Sequence, residues 1–249
     1  MNLQNDKWQK TLDPAPPENG GIDLWRVFLN RDPKSISLLF DPLSYDEKHR
    51  ANKYVFAKDR EHYVTCRATL RKIIGLYLGL GPEKVRFSYN RFGKPFMAAE
   101  DGGLRFNVSH SRGVGLIAIA LDREVGVDIE FVDHKFDVFS VANSAFSASE
   151  VLRLRSLPTS LQTEVFFTGW TRKEASLKAM GYGLSSFPEH QSVISAINGE
   201  KDVSFTTFVG DEFKDWSLTS LATDDKYKAS LAVEGNIGTV RYWHLAENR

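Results

Sequence analysis

Glu124-Val125-Gly126-Val127-Asp128-Ile129-Glu130 is the stretch whose reading decides the fold. Strand side chains alternate, so Val125, Val127 and Ile129 form an apolar face while Gly126, Asp128 and Glu130 share the other. Two carboxylates then stand side by side on a half-buried strand. Like charges at that spacing repel, so the acidic face is expected to hold a hydrogen-bonding partner, a proton or a cation. Taken alone, the pattern is better explained as the solvated face of an edge strand. A second acidic motif further along the chain changes that balance.

Working outward, residues 115–121 are almost wholly apolar, as in a strand covered on both sides, and Asp122-Arg123 predicts a turn that makes it a hairpin with the acidic strand. Before it, residues 104–109 alternate: Leu104, Phe106 and Val108 face one way, Asn107 and Ser109 the other, and His110 stands at the end. Gly93-Lys94-Pro95 and Asp101-Gly102-Gly103 mark a turn-rich segment between that strand and an expected strand over 85–89. Tyr63, Cys66, Leu70, Ile74 and Tyr77 recur at helical spacing from Asp59 until Gly79 and Gly81-Pro82 stop the helix. Ser44 with Glu47 is a capping box that opens a shorter helix to about residue 54, and residues 24–29 read as a strand.

Downstream, Ser147 and Glu150 form another capping box, for a helix that ends before Pro158. The next helix spans 161–180, with Phe166, Trp170, Leu177 and Met180 as its buried stripe and Gly181 as its stop. Strand patterns follow over 203–209, 216–221, 227–233 and 239–245. Helices followed by strands thus occur twice, which predicts an α+β fold of two similar, pseudo-duplicated halves, each with a small antiparallel sheet packed on helices. Residues 1–21, rich in proline, glycine and polar groups, are expected to be a flexible tail, with halves over 22–126 and 127–249.

Composition removes several function classes. Lys plus Arg and Asp plus Glu are equal at 32 each, so no global field draws the chain to nucleic acid or a membrane. Cys66 is the single cysteine and falls in a helical apolar pattern, so it reads as a buried thiol, and no intrachain disulfide can form. No apolar run approaches the ~18–20 residues of a membrane span, and the polar first residues lack a signal peptide's core, so the cytoplasm is the expected compartment.

The second acidic motif is Trp170-Thr171-Arg172-Lys173-Glu174-Ala175-Ser176-Leu177-Lys178. Glu174 and Lys178 share a helix face, a pairing that on most helices is a surface ion pair worth about 0.2–0.5 kcal/mol. Combined with Asp128 and Glu130, however, Glu174 makes a third hard oxygen ligand. Carboxylates without paired Cys or His suggest Mg²⁺, which keeps waters and completes its shell with phosphate oxygens. Lys178 would clamp the same phosphates.

These residues carry a resemblance. The chain resembles the Sfp-type 4′-phosphopantetheinyl transferase family through three ordered motifs: Gly93-Lys94-Pro95; Phe106 to Ser111 together with Val125 to Glu130; and Trp170 to Lys178. The match spans roughly residues 43–184. The resemblance implies two similar α+β halves with coenzyme A and Mg²⁺ in the cleft between them. It implies transfer of phosphopantetheine from coenzyme A to a serine of an acyl, polyketide or peptidyl carrier protein, with release of 3′,5′-ADP by a monomer. By position, Asp128, Glu130 and Glu174 resemble the metal ligands and Lys178 a pyrophosphate contact. Ser109 and His110 resemble contacts to the nucleotide phosphates, and Lys94-Pro95 the adenine wall. Glu174 is the first choice for the base that takes the serine proton, with Glu130 as the alternative.

Basic residues in the early helical region are expected to reach the coenzyme's 3′-phosphate. Lys48, Arg50, Lys53, Arg60, Arg67 and Arg71 are the candidates, with Arg50 and Arg60 preferred and Lys48 next. Phe136, Val138, Phe139, Arg153 and Arg155 form an expected basic and apolar docking surface for an acidic carrier. Two rival readings stand beside this one: a metal-dependent phosphohydrolase using the same carboxylates, and a non-catalytic module that binds coenzyme A or a carrier.

Overall fold

The computed structural model describes residues 7–18, 20–97, 103–182, 202–209 and 212–246. Asp101-Gly102 of the expected turn and Gly183-Leu184 at the end of the matched span lie outside them. The fold is α+β, mixing helices with several small sheets.

The first sheet has the strand order β1 (Gln9–Thr11), β11 (Val240–Leu245), β2 (Ile22–Phe28), β6 (Val114–Leu121), β5 (Leu104–Ser111). It is mixed rather than antiparallel, because β11 pairs parallel with both β1 and β2. Two expectations change here. Part of the expected tail, Gln9–Thr11, is a strand, and the last strand of the chain leaves its own half to complete the first sheet. Asp23 on β2 shows what holds β11 there: it is fully buried and accepts from Arg241 Nε at 2.6 Å and Trp243 Nε1 at 2.9 Å.

The second sheet runs β7 (Val125–Phe131), β10 (Tyr227–Glu234), β9 (Glu212–Leu221), β8 (Asp202–Val209), all antiparallel. The expected hairpin between β6 and the acidic strand therefore does not form. At Asp122, whose φ is +53°, the chain turns out of the first sheet, and β7 pairs with β10, placing Asp128 opposite Ser230 and Glu130 opposite Lys228. The reason lies in the apolar faces. Val125, Val127 and Ile129 with Ala229, Leu231 and Val233 meet Ile22, Leu24, Leu116 and Ala118 in one buried core, so the two sheets pack face to face. Pairing β7 with β6 in one sheet would forfeit that interface, in which each buried Val, Leu or Ile contributes about 1.5–3 kcal/mol.

Long helices cover the outer faces. α3 (Ala57–Leu78) packs Cys66, Leu70, Ile73 and Ile74 on Trp25, Val27, Phe106 and Ile117 of the first sheet. α6 (Thr159–Met180) packs Ala175, Leu177 and Ala179 on Trp216, Leu218 and Ala232 of the second. Both end on a left-handed glycine, Gly79 and Gly181. The capping boxes expected at Ser44 and Ser147 are present, opening α2 (Tyr45–Ala51) and α5 (Ala148–Ser156). A helix α1 (Pro33–Phe40), capped by Asp32, was not foreseen; it has no fully buried residue, and its short stripe of Ile36, Leu39 and Phe40 packs partly buried against Ala51, Val64 and Ala68. Of the strand expected over 85–89, only β3 (Ser88–Tyr89) forms, paired with β4 (Pro95–Phe96). α4 (Val138–Ala145) precedes α5.

Gly126 fixes how α6 sits. A Cβ there would lie 2.1 Å from the Ala175 carbonyl oxygen and 2.4 Å from the Ala179 nitrogen, so the helix backbone rests directly on the strand. Gly126→Ala should lower unfolding free energy by roughly 1–3 kcal/mol in denaturant titration, because the obstacles are backbone atoms that cannot rotate away. An unchanged midpoint would mean that the helix slides freely.

Candidate active site

Strand β5 is the outer edge of the first sheet and β7 the outer edge of the second, and the two edges meet. No backbone ladder joins them. Instead Asn107 Oδ1 accepts from the Val127 N–H at 3.0 Å, Ser109 Oγ from Ile129 at 3.4 Å and Ser111 Oγ from Phe131 at 3.0 Å. The same hydroxyls donate onward, Ser109 to Asp128 Oδ1 at 2.7 Å and Ser111 to Glu130 Oε2 at 2.8 Å.

From α6, Lys178 Nζ reaches over this seam to Asp128 Oδ1 at 2.6 Å and Ser109 Oγ at 3.0 Å. Glu174 lies one turn earlier on the same helix face. Asp128 is only 2% exposed, yet its Oδ2 has no partner, and neither has the buried Glu174 Oε1. Buried carboxylate oxygens without a donor are costly, and here they occur within one group of acids. Burial, reinforced by the Asp128 charge, pushes Glu130 above the usual carboxylate range, while Ser111, Lys178 and Trp170 oppose the shift. Burial likewise raises Glu174, against the pull of Lys178. Among the described residues, no three His, Cys, Asp or Glu side chains converge as a ready-made metal cage.

The other face of β5 walls a recess of about 200 Å³ lined by Arg50, Tyr54, Tyr63, Cys66, Arg67, Leu70, Gly93, Pro95, Val108 and His110. A second hollow of about 290 Å³ shares Tyr54 and His110 with it and adds Lys58, Asp59, His62 and Arg112. Alternation along β5 thus gives Val108 and His110 to the recess and Ser109 to the acidic seam. Crowding by the recess walls, then the charges of Lys178 and His62, lowers the His110 imidazole below its ordinary value, although its surface stays open to solvent. Burial raises the Cys66 thiol to about 11, so it is an inert wall.

Of the residues singled out in the sequence, Asp128, Glu130, Glu174, Lys178 and Ser109 gather at the seam, and Arg50, Pro95 and His110 at the recess. Lys94 and Arg60 do neither. Lys94 Nζ turns away to Glu124 Oε2 at 3.0 Å and the Ala179 carbonyl at 3.3 Å. Arg60 donates to Asn52 at 3.3 Å and lies over the Phe40 ring. Tyr54, Tyr63, His62 and Arg112 were not foreseen, because single residues on helices and turns carry no spacing signal. Ser111 could have been: Asn107, Ser109 and Ser111 form a polar stripe at strand period, in step with Asp128 and Glu130.

The raised Glu174 has a measurable consequence for the metal-free protein. Its folded form holds a proton more tightly than its unfolded form, so stability falls as pH rises above the ordinary value of 4.5. Glu174→Gln removes that penalty and should melt higher than the parent at pH 7 in chelator, the gap closing toward about pH 4. A gap that does not depend on pH would reject the burial account.

Comparison with known proteins places this geometry in a family. The profile described as 4′-phosphopantetheinyl transferase superfamily matches residues 124–232, and that described as 4′-phosphopantetheinyl transferase, N-terminal, matches residues 30–121. The 4′-phosphopantetheinyl transferase HetI of Nostoc sp. is 34% identical over 242 residues, covering 95% of this chain and 99% of the relative. The 4′-phosphopantetheinyl transferase gsp of Aneurinibacillus migulanus is 31% identical over 148 residues, 59% of this chain and 60% of its own. The human L-aminoadipate-semialdehyde dehydrogenase-phosphopantetheinyl transferase is 25% identical over 203 residues, 76% of this chain and 66% of its own. With the HetI match running end to end and both profiles falling in order along the chain, this protein belongs to the 4′-phosphopantetheinyl transferase superfamily of enzymes.

Proposed function

We propose that this enzyme transfers 4′-phosphopantetheine from coenzyme A to a serine hydroxyl of an acyl, polyketide or peptidyl carrier protein and releases 3′,5′-ADP. The observation that carries the reading is the pair of unpartnered buried oxygens, Asp128 Oδ2 and Glu174 Oε1, beside Lys178 and one strand away from a recess walled by Arg50, Arg67 and Tyr63. The basic, aromatic recess suits the coenzyme's nucleotide, with Pro95 and His110 on its walls. Ser109 and Lys178 then lie where the pyrophosphate crosses β5. Lys94 serves differently from the expected adenine wall, since its ammonium ties the turn to α6.

The donor set fits Mg²⁺. Asp128 and Glu174 would hold it, with Glu130 next to them. Mg²⁺ commonly takes one or two carboxylates and fills the rest of its shell with water and phosphate oxygens, so a three-carboxylate cage is not required. When bound it neutralises charge developing on the phosphate. Nucleophile, phosphorus and leaving group must be in line, and Lys178 stabilises the leaving pyrophosphate oxygen. The serine oxygen bonds to the β-phosphorus, the bond to the bridging oxygen breaks, and the serine proton goes to a carboxylate. Glu174 suits that role better than Glu130, whose Oε2 already accepts from Ser111. Burial raises Glu174 above the ordinary carboxylate range in the metal-free protein, the direction that suits a general base.

Two similar halves about a cleft are part of the same reading, supported by one 22-residue helix on each sheet, α3 and α6. A division near residue 126 keeps those helices apart while exchanging β11. We place the enzyme in the cytoplasm as a monomer; no helix among the described residues is long and apolar enough to cross a membrane. The carrier docks on α4 and α5. Phe136 and Leu152 are 42% and 69% exposed there, and Arg155 stacks on Phe139 at 4.2 Å, whereas Val138 is core.

Intact-mass measurement after incubation with coenzyme A, Mg²⁺ and several apo carrier proteins tests the reading, and no added phosphopantetheine on any of them would sink it. Asp128→Ala should lower turnover by orders of magnitude, and Lys178→Ala by roughly 10–1000-fold, with both still folded by circular dichroism. Near-parental rates would return the seam to a structural ion pair. Charge reversal at Arg153 and Arg155 should raise KM for the carrier and leave KM for coenzyme A alone; if both constants stay at their parental values, docking lies elsewhere.

A further inference from the structure

Asn90 follows β3 and opens the turn that leads to Pro95, and its side chain is tied on both sides. The Asn90 N–H donates to the Lys94 carbonyl at 3.0 Å, and the Asn90 carbonyl accepts from Gly93, whose φ is +80°, at 2.9 Å. Within this turn Oδ1 accepts from the Phe92 and Lys94 N–H groups at 2.9 and 3.0 Å, an Asx turn that fixes the shape of the loop. On the other side Nδ2 donates to the Gly181 carbonyl at 3.0 Å. Those partners leave one orientation of the amide, since the N–H groups need an oxygen and the carbonyl needs a donor. One side chain therefore joins the turn that brings Gly93 and Pro95 to the recess with the residue that stops α6.

Gly181 is left-handed, with φ +74°, and its N–H donates back to the Lys178 carbonyl at 3.3 Å, while the Tyr182 N–H donates to Leu177 at 2.9 Å. The last turn of the helix is closed around Lys178, so whatever holds Gly181 holds that turn. Contact of Ala175 and Ala179 with Gly126 sets the height of α6 above β7, and the bond from Asn90 sets its end. Lys94 adds a tie to the Ala179 carbonyl at 3.3 Å, but through a flexible four-carbon stem whose ammonium is shared with Glu124.

We propose that Asn90 is a positioning residue for Lys178, acting through the Gly181 carbonyl so that Nζ stands on Asp128 and Ser109 where the pyrophosphate arrives. The proposal rests on Lys178 meeting the pyrophosphate, as in the functional reading above. Asn90 itself touches no ligand; Gly93 and Pro95 of the same turn line the recess. A nucleotide seated against that turn then meets an ammonium already in register with its phosphates, because one amide sets both.

Asn90→Asp separates the two ties. A carboxylate still accepts from the Phe92 and Lys94 N–H groups and keeps the turn, but it cannot donate to Gly181 and sets oxygen against oxygen. Asn90→Ser is the uncharged companion, because a hydroxyl can hold the turn from within but is too short to reach Gly181. In both variants kcat for transfer to an apo carrier should fall roughly 10–100-fold, the cost of an ångström-scale misplacement, while calorimetric affinity for 3′,5′-ADP stays near the parental value. In a Lys178→Ala background neither substitution should slow turnover further, because the group being placed is gone. A structural role would instead lower the melting temperature and multiply with Lys178→Ala, and that outcome overturns the proposal. A loss of 3′,5′-ADP affinity in step with the rate also overturns it, by making Asn90 a support of the recess alone. If the parent modifies no carrier, the functional reading falls and this proposal with it, whereas parental kcat in both variants beside an active parent overturns the proposal alone.

Discussion

The molecule depends on how two sheet edges are joined without a backbone ladder. An edge strand presents N–H groups that cost about 1–3 kcal/mol each if buried unpaired. β7 has three of them, at Val127, Ile129 and Phe131, and each finds a side chain of β5. Because both strands repeat every second residue, Asn107, Ser109 and Ser111 stay in step with them. A hydroxyl can accept and donate at once, so Ser109 and Ser111 take the backbone N–H on one side and give their proton to Asp128 and Glu130 on the other. Asn107 precedes them in the row, bonded to Val127 next to Gly126, where no carboxylate needs a donor. The joint that closes the core is therefore the same joint that orients the acids.

The second constraint is the contact of α6 with Gly126. With the helix backbone against the strand, Glu174 and Lys178, each one residue before the contacts Ala175 and Ala179, fall along the same side of that contact, which brings Lys178 to Asp128. The end of that helix is held from the first half of the chain. Asn90 donates to the Gly181 carbonyl at 3.0 Å, and Lys94 to that of Ala179. Three short motifs that are distant in sequence are thus one mechanical unit. The acids they assemble are raised by burial, an unfavourable arrangement for the free fold that function retains.

Much of this was legible where a residue's role follows from period. The alternation of Val125 to Glu130 and the helical spacing from Tyr63 to Tyr77 fixed their faces correctly, since each apolar stripe had a core to meet. Legibility failed where the decision belonged to a partner far along the chain. Nothing local says that β7 prefers β10, 100 residues on, to its neighbour β6, nor that β11 returns to β2. Side-chain direction failed for the same reason. Lys94 sits beside Pro95 in sequence, but the turn anchored by Asn90 sends its ammonium to Glu124. Arg67 was one of six basic candidates on paper, behind Arg50, Arg60 and Lys48, and its place on the recess wall, held by Glu47 from α2, was not legible there.

A zero net charge conceals a sharp local separation, and β5 is the partition. On the recess side stand Arg50 and Arg67, with Lys58 and Arg112 in the adjoining hollow. On the seam side Asp128, Glu130 and Glu174 face the ammonium of Lys178, which opposes the upward shift of Glu130 and, with Lys173, that of Glu174. A coenzyme whose nucleotide enters the recess must bring its pyrophosphate across the end of β5 to the seam. Anionic oxygens would there meet acids that Lys178 offsets only in part, in a setting where burial weakens solvent screening. The approach becomes favourable only with added positive charge between phosphate and carboxylate. The unpartnered oxygens of Asp128 and Glu174 are where that charge would find ligands. A divalent cation held there, as proposed above, would supply the positive charge that Lys178 alone does not.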